Sequence, residues 1–131
     1  MSASSISEME IQATVPGKGQ ITGKLYKHLS PVTLTKITRA LPLDGRVNLY
    51  EKDFAYILTN IVTGEEKSRK EFKTGDIAFM PAGCMICFFL QDIRSYKPMN
   101  PLGVVTSGIE VLLSCKRGDS LHIDAATQSG S

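Results

Sequence analysis

From Gly75 to Leu90 the chain carries two short apolar runs, Ile77-Ala78-Phe79-Met80 and Cys84-Met85-Ile86-Cys87-Phe88-Phe89-Leu90, joined by Pro81-Ala82-Gly83. Runs this short, rich in residues that fit a pleated surface and punctuated by Pro and Gly, predict strand, turn, strand. Successive side chains of a strand face opposite ways, so Met85, Cys87 and Phe89 share one side and Cys84, Ile86 and Phe88 the other. Every one of them is apolar. Both faces therefore need cover, such as a barrel interior on one side and a helix on the other.

The rest of the chain supplies material for such a barrel. Glu8 to Val15 and Gln20 to Leu29 read as two strands around Pro16-Gly17-Lys18-Gly19, a hairpin. Ser30-Pro31 reads as a helix start, with Ser30 as side-chain cap and Pro31 in the first turn. Leu34, Ile37 and Leu41 fall on one face of the helix from Pro31 to Ala40, which Pro42 ends. Asp44-Gly45 predicts a turn before a strand from Arg46 to Glu51, and Phe54 to Asn60 predicts another. Gln91 to Gly103 reads as a long polar loop holding Arg94, Tyr96, Pro98 and Met99. Val104-Val105 and Ile109 to Ser114 are further apolar segments, and Arg117-Gly118-Asp119 turns into a last strand, Leu121 to Asp124. Regular turn signals between short strands favour a closed or nearly closed barrel.

Length changes this picture little: 131 residues suit one domain, 1–131, with loose tails at 1–7 and 125–131. A net charge of +2 comes from 15 basic and 13 acidic residues spread along the chain, so no footprint for nucleic acid stands out. The most charged segment, Glu65 to Lys73, mixes both signs and reads as a solvated loop or edge strand. No apolar run is long enough for a bilayer, and the start of the chain is polar and acidic; no membrane partner and a cytoplasmic location are expected. Three cysteines fit a reducing compartment. Cys84 and Cys87 have the spacing of a redox or zinc pair, but strand parity sends their sulfurs to opposite faces, so inert thiols and no metal are expected. Strand edges leave a homo-oligomer open.

Two family patterns meet in Gly75-Asp76-Ile77-Ala78-Phe79-Met80-Pro81-Ala82-Gly83. The stretch has the spacing of the second cupin motif, but Ile86 stands where the metal-binding histidine would be, and no His-x-His exists; a metal-free cupin is the second choice. From Leu34 to Ile123 the chain more broadly resembles small, largely uncharacterised microbial proteins with a cyclophilin-like barrel. Leu41-Pro42-Leu43, Val47-Asn48-Leu49-Tyr50, Tyr56-Ile57, the Gly75 to Gly83 stretch, Cys87-Phe88-Phe89 and Pro101-Leu102-Gly103-Val104-Val105 carry it in order. The resemblance implies a mainly β fold, a closed eight-stranded barrel with one or two covering helices. It carries over no catalytic residue, since no tryptophan and no Phe-Met-x-Gln-Gly-Gly-Asp segment of true cyclophilins is present.

Catalytic constellations are thin: the two histidines, His28 and His122, are far apart in sequence, and Pro16 to Gly19 precedes no helix suited to phosphate. The candidate site is a pocket at one barrel rim. Asn48, Tyr50, Phe79, Pro81 and Phe89 would line strands or their ends, and Arg94, Asn100 and Pro101 would come from the long loop. Aromatic walls with a few polar groups and one guanidinium suit a peptide or a small carboxylate, with no cofactor. The expected function is a non-catalytic binding domain. The alternatives are a weak peptidyl-prolyl cis-trans isomerase and, from the resemblance, an accessory subunit of an amide-hydrolysing complex.

Overall fold

The computed structural model describes residues 7–126. Ten strands and two helices follow in the order β1 (Glu8–Val15), β2 (Gly19–Tyr26), α1 (Pro31–Ala40), β3 (Leu43–Arg46), β4 (Asn48–Tyr50), β5 (Phe54–Leu58), β6 (Arg69–Phe72), β7 (Asp76–Met80), β8 (Met85–Phe89), β9 (Ile93–Ser107), α2 (Ile109–Ser114) and β10 (Ser120–Ala125). Of the expected tails, 1–6 and 127–131 lie outside the described residues, whereas Ala125 closes β10.

All strand pairs are antiparallel, and the main path runs β3-β10-β1-β2-β9-β7-β8-β5-β4, with β6 attached to β9 alone. The end strands β3 and β4 are separated in sequence only by Val47, so the sheet curls into a nearly closed barrel. Val47 bridges the seam, donating its amide to Asp119 O (2.8 Å) and accepting from Gly118 N (2.8 Å). Two glycines permit close approach here and at the β2–β9 pair. A Cβ on Gly45 would sit 3.2 Å from Ile57 Cβ, and one on Gly103 would collide with the Lys24 carbonyl at 1.8 Å.

The Gly75–Leu90 stretch is a strand hairpin, as its pattern predicts. Ile77 pairs with Phe88 and Phe79 with Ile86, and all four join the barrel core with Ile11, Leu25, Ile57, Leu102 and Ile123. Ala78, Met80, Cys87 and Phe89 face the other way, into a second cluster with Phe54, Phe72 and Met99. The cover of that second face is not a helix. It is β6 and the first half of β9, a ribbon folded across the outside of the sheet. Helix α1 instead buries Thr33, Leu34 and Ile37, and Leu34 and Ile37 join the barrel core.

Three local expectations are corrected, and one apolar segment gains its structure. Asp44-Gly45 belongs to β3, paired with β10, rather than to a turn. Gln91 to Gly103 is not a loop: from Ile93 the chain is one strand, whose first half pairs with β6 and whose second half pairs with β7 and β2. Ile109–Ser114 is helical, entered through Gly108 at φ +85° and anchored by buried Leu112. Ser30 precedes α1, but its hydroxyl donates to Pro101 O (2.7 Å) instead of capping the helix. The cap comes from Glu66, whose carboxylate accepts from Val32 N (2.9 Å), Thr33 N (2.6 Å) and Thr33 Oγ1 (2.5 Å).

Candidate functional site

An aromatic chain crosses the outer cluster. Tyr50 stacks on Phe54 (5.2 Å, 12°), Phe54 tilts against Phe89 (5.4 Å, 51°), and Phe89 stacks on Phe72 (4.5 Å, 11°). The Arg69 guanidinium lies 4.9 Å from the Phe72 ring centroid, a cation–π contact at one end of the chain. Register produces this alignment: Tyr50 pairs with Phe54 across β4–β5, and Phe54 with Phe89 across β5–β8, so the rings stand side by side on one face.

Two concavities open where the ribbon crosses this face. One, of about 160 Å³, is walled by Tyr50, Phe54, Ile93, Arg94 and Ser95, with Glu51 and Asp53 at its edge. The other is an open cleft of about 960 Å³ between β6 and the start of β9, with Phe72 and Ile93 among charged side chains. Ile93 and Arg94 line both. Most of the charges are paired: Arg94 Nη1 lies 3.2 Å from Glu71 Oε2, and Arg69 Nη2 lies 3.6 Å from Asp76 Oδ2. The Arg94–Glu71 pair is fully at the surface and contributes little to stability, whereas Asp76 is largely buried. Asp92 accepts from the Thr74 amide (2.8 Å) and hydroxyl (3.1 Å), which hold its carboxyl below the usual range. Asp53 accepts from Gln91 Nε2 (2.9 Å). The Arg94 head is two-thirds exposed, so its pair with Glu71 can exchange for a ligand anion at small cost.

The structure gathers some of the sequence candidates and scatters others. Tyr50, Phe89 and Arg94 meet at this face, Phe89 beneath the surface with 0% exposure. Asn48 stands on β4 opposite Tyr56 and donates to Arg46 O (3.3 Å). Phe79 does not line the site: it points into the barrel core, also at 0% exposure. Pro81 follows β7 at the end away from the cleft, which Asp76 lines. Asn100 and Pro101 are buried strand residues, not loop residues. Asn100 accepts from Glu66 N (2.8 Å) and donates to Gly64 O (2.9 Å) and Thr33 Oγ1 (3.1 Å), so its amide clamps the β5–β6 segment to α1. For Glu66 burial pushes the carboxyl up, but the Thr33 hydroxyl, the Val32 and Thr33 amides and the charge of Lys36 outweigh it and hold the group below its usual range.

Phe54, Ile93, Ser95 and Phe72 are site residues that the sequence reading did not single out. Phe54 was legible: it alternates with Tyr56 along β5 and is the only other aromatic there. Phe72 had a signal too, as the lone apolar residue of a charged segment.

Other chemistry is sparse. Cys84, in the corner before β8, packs against the barrel core and Cys87 lies in the outer cluster, so the two thiols sit on opposite sides of the sheet, and burial pushes the Cys87 thiol far up. Cys84 itself sits at φ +55° in the corner, its carbonyl held by Thr59 N (2.9 Å) and Oγ1 (2.8 Å). His122 pairs with Asp44 across β10–β3 at 2.6 Å, not with Asp124 beside it. Among the described residues no cluster of three or more His, Cys, Asp or Glu could hold a metal, and no helix is long and apolar enough to cross a membrane.

Comparison with known proteins agrees with this architecture. The structure of the hypothetical protein AF2241 from Archaeoglobus fulgidus is similar at a TM-score of 0.81 and 25% identity, covering 95% of this chain and all of that one. McbB, solved in complex with tryptophan, shares the fold at a TM-score of 0.73 and 14% identity; the match covers 92% of this chain and 46% of McbB. No curated protein sequence matches. The sequence profile described as cyclophilin-like matches residues 9–124, nearly the whole described chain, and the chain belongs to the cyclophilin-like family.

Proposed function

We propose that this protein is a binding domain that takes a small carboxylate, or a peptide segment ending in one, at the outer aromatic face. The observation that carries the reading is the position of Arg94: an exposed guanidinium shared by two concavities, beside the Tyr50 and Phe54 rings. A planar or apolar ligand group stacks on the Tyr50–Phe54 wall, and the carboxylate replaces Glu71 on Arg94. Glu51 and Asp53 at the edge suit a positively charged amino group, so a free amino acid fits the same chemistry. Tryptophan, the ligand of McbB, is therefore a natural first probe. The reading is non-catalytic, because the polar groups beside the rings are held in structural contacts: Ser95 Oγ accepts from Lys97 N (3.3 Å), Asp53 accepts from Gln91 and Arg94 is paired with Glu71. Cytoplasmic residence belongs to the same reading and is supported by three unpaired thiols.

The test is calorimetric titration with N-acetyl-L-tryptophan and with its C-terminal amide. The carboxylate should bind at least tenfold more tightly, Arg94→Gln should erase that difference, and Tyr50→Ala should weaken both. Equal binding of the two probes, or binding untouched by Arg94→Gln, contradicts the reading. A protease-free isomerisation assay on an Xaa-Pro peptide should show no acceleration; acceleration abolished by Tyr50→Ala would make the same face an isomerase site.

A further inference from the structure

A second site stands apart from the aromatic face, along α1. Two adjoining concavities, of about 310 and 280 Å³, share Lys27, Thr35 and Arg39. The larger one is floored by Met9 and Leu34, both packed in or against the barrel core. Its hydroxyls are turned inward: Thr35 Oγ1 donates to Pro31 O (3.0 Å) and Thr38 Oγ1 to Leu34 O (2.8 Å). The cleft is thus apolar below and offers donors only at its rim.

Those rim donors are cations with nothing to bind. The exposed side chains of Lys27 and Arg39 have no hydrogen bond or ion pair among the described residues, unlike Lys36, which donates to Val62 O (2.6 Å), and Lys67, which donates to His28 O (2.8 Å). The one acid in the lining, Glu8, lies 3.6 Å from Lys24. The joined cleft therefore carries Lys27, Lys36 and Arg39 against Glu8, a surplus of positive charge where both concavities meet.

We propose that this cleft binds a small amphiphilic anion, a carboxylate or phosphate ester with a short aliphatic tail. The tail lies on Met9 and Leu34, and the head group sits between Lys27 and Arg39. Charge selects the head, and tail burial sets the affinity, which rises by up to about fourfold per methylene while the floor lasts. The occupant is a small soluble molecule, because the aliphatic floor is two side chains wide, Met9 and Leu34, enough for a single short tail rather than a lipid surface.

The experiment titrates the full chain with sodium butanoate, hexanoate and octanoate, with octyl phosphate, and with octyltrimethylammonium as the cationic control, all below micelle formation and followed by amide chemical shifts. Octanoate and octyl phosphate should shift Met9, Lys27 and residues 34–39, with affinity rising along the series and the cation inactive. Lys27→Gln and Arg39→Gln should each weaken octanoate about tenfold, and Met9→Gln should flatten the chain-length series. Arg94→Gln should leave the octanoate shifts and affinity at Met9, Lys27 and residues 34–39 unchanged while removing any octanoate shifts at residues 50–54 and 92–95, which separates failure here from failure of the aromatic site. Binding of the cation as tightly as octanoate, variants without effect, or sedimentation with phosphatidylglycerol vesicles while octanoate leaves α1 unmoved would each overturn the proposal.

Discussion

The two faces of the β7–β8 hairpin bury similar residues to different ends. The inner face, Ile77, Phe79, Ile86 and Phe88, is surrounded by the whole barrel and shares its core with buried aliphatic side chains from seven other elements. The outer face, Ala78, Met80, Cys87 and Phe89, meets mostly aromatic rings and Met99 under a narrow ribbon, where β6 contributes four residues held by β9 alone. Depth of burial is the same on both sides, since Phe88 and Phe89 are 1% and 0% exposed. What differs is the thickness of the cover. A core enclosed on all sides can only stabilise, whereas a face under a thin cover can admit a ligand at its margins.

Substitutions on the two faces should separate these roles. Phe88→Ala, in the enclosed core, should cost about 3–5 kcal/mol in urea unfolding. Asn100→Ala should cost about 2–3 kcal/mol, because it leaves the Glu66 amide and the Gly64 carbonyl without partners. Phe72→Leu, in the cover, should cost only about 1–1.5 kcal/mol, while speeding hydrogen exchange at β6 and leaving β7–β8 amides unchanged. If the two Phe substitutions cost the same and exchange rises everywhere, the faces are not distinct layers. Glu66→Gln should cost about 1 kcal/mol at neutral pH, since it weakens the cap on α1. Its pH signature is specific. A carboxyl held below its ordinary value of 4.5 stabilises the fold above that pH and loses the contribution as pH falls toward the lowered folded-state value. The wild type should therefore lose stability more steeply than Glu66→Gln below about pH 4.5. Parallel curves would mean that the Glu66 contacts do not persist in solution. Arg94→Gln should change stability by less than about 0.5 kcal/mol, because its ion-pair partner among the described residues is an exposed carboxylate.

Local pattern revealed the parts of the fold that local pattern controls. The β1–β2 hairpin, α1 and β7–β8 are written in alternation, helical spacing and Pro-Gly punctuation. Strand β9 is not, because Pro98 and Pro101 lack amide hydrogens and its first half is polar. It forms because three different strands pair with it along its length. Asn100 illustrates the same limit at the site. A polar residue beside two prolines reads as an exposed loop group, but its three partners lie on residues 33, 64 and 66, beyond any local pattern. Phe79 and Phe89 looked like companions at one rim, yet parity together with the Phe79–Ile86 register sends them to opposite faces. Tyr50 and Arg94 come together only because β9 folds back across β4 and β5, a long-range event that spacing does not encode.

The most direct test of the division between the two faces is an amide chemical-shift map of the chain titrated with N-acetyl-L-tryptophan. Perturbations should cluster at residues 50–54, 69–73 and 92–95 and leave Ile77, Phe79, Ile86 and Phe88 unmoved. Shifts confined to α1, to the β3–β10 pair or to the enclosed core would contradict the account.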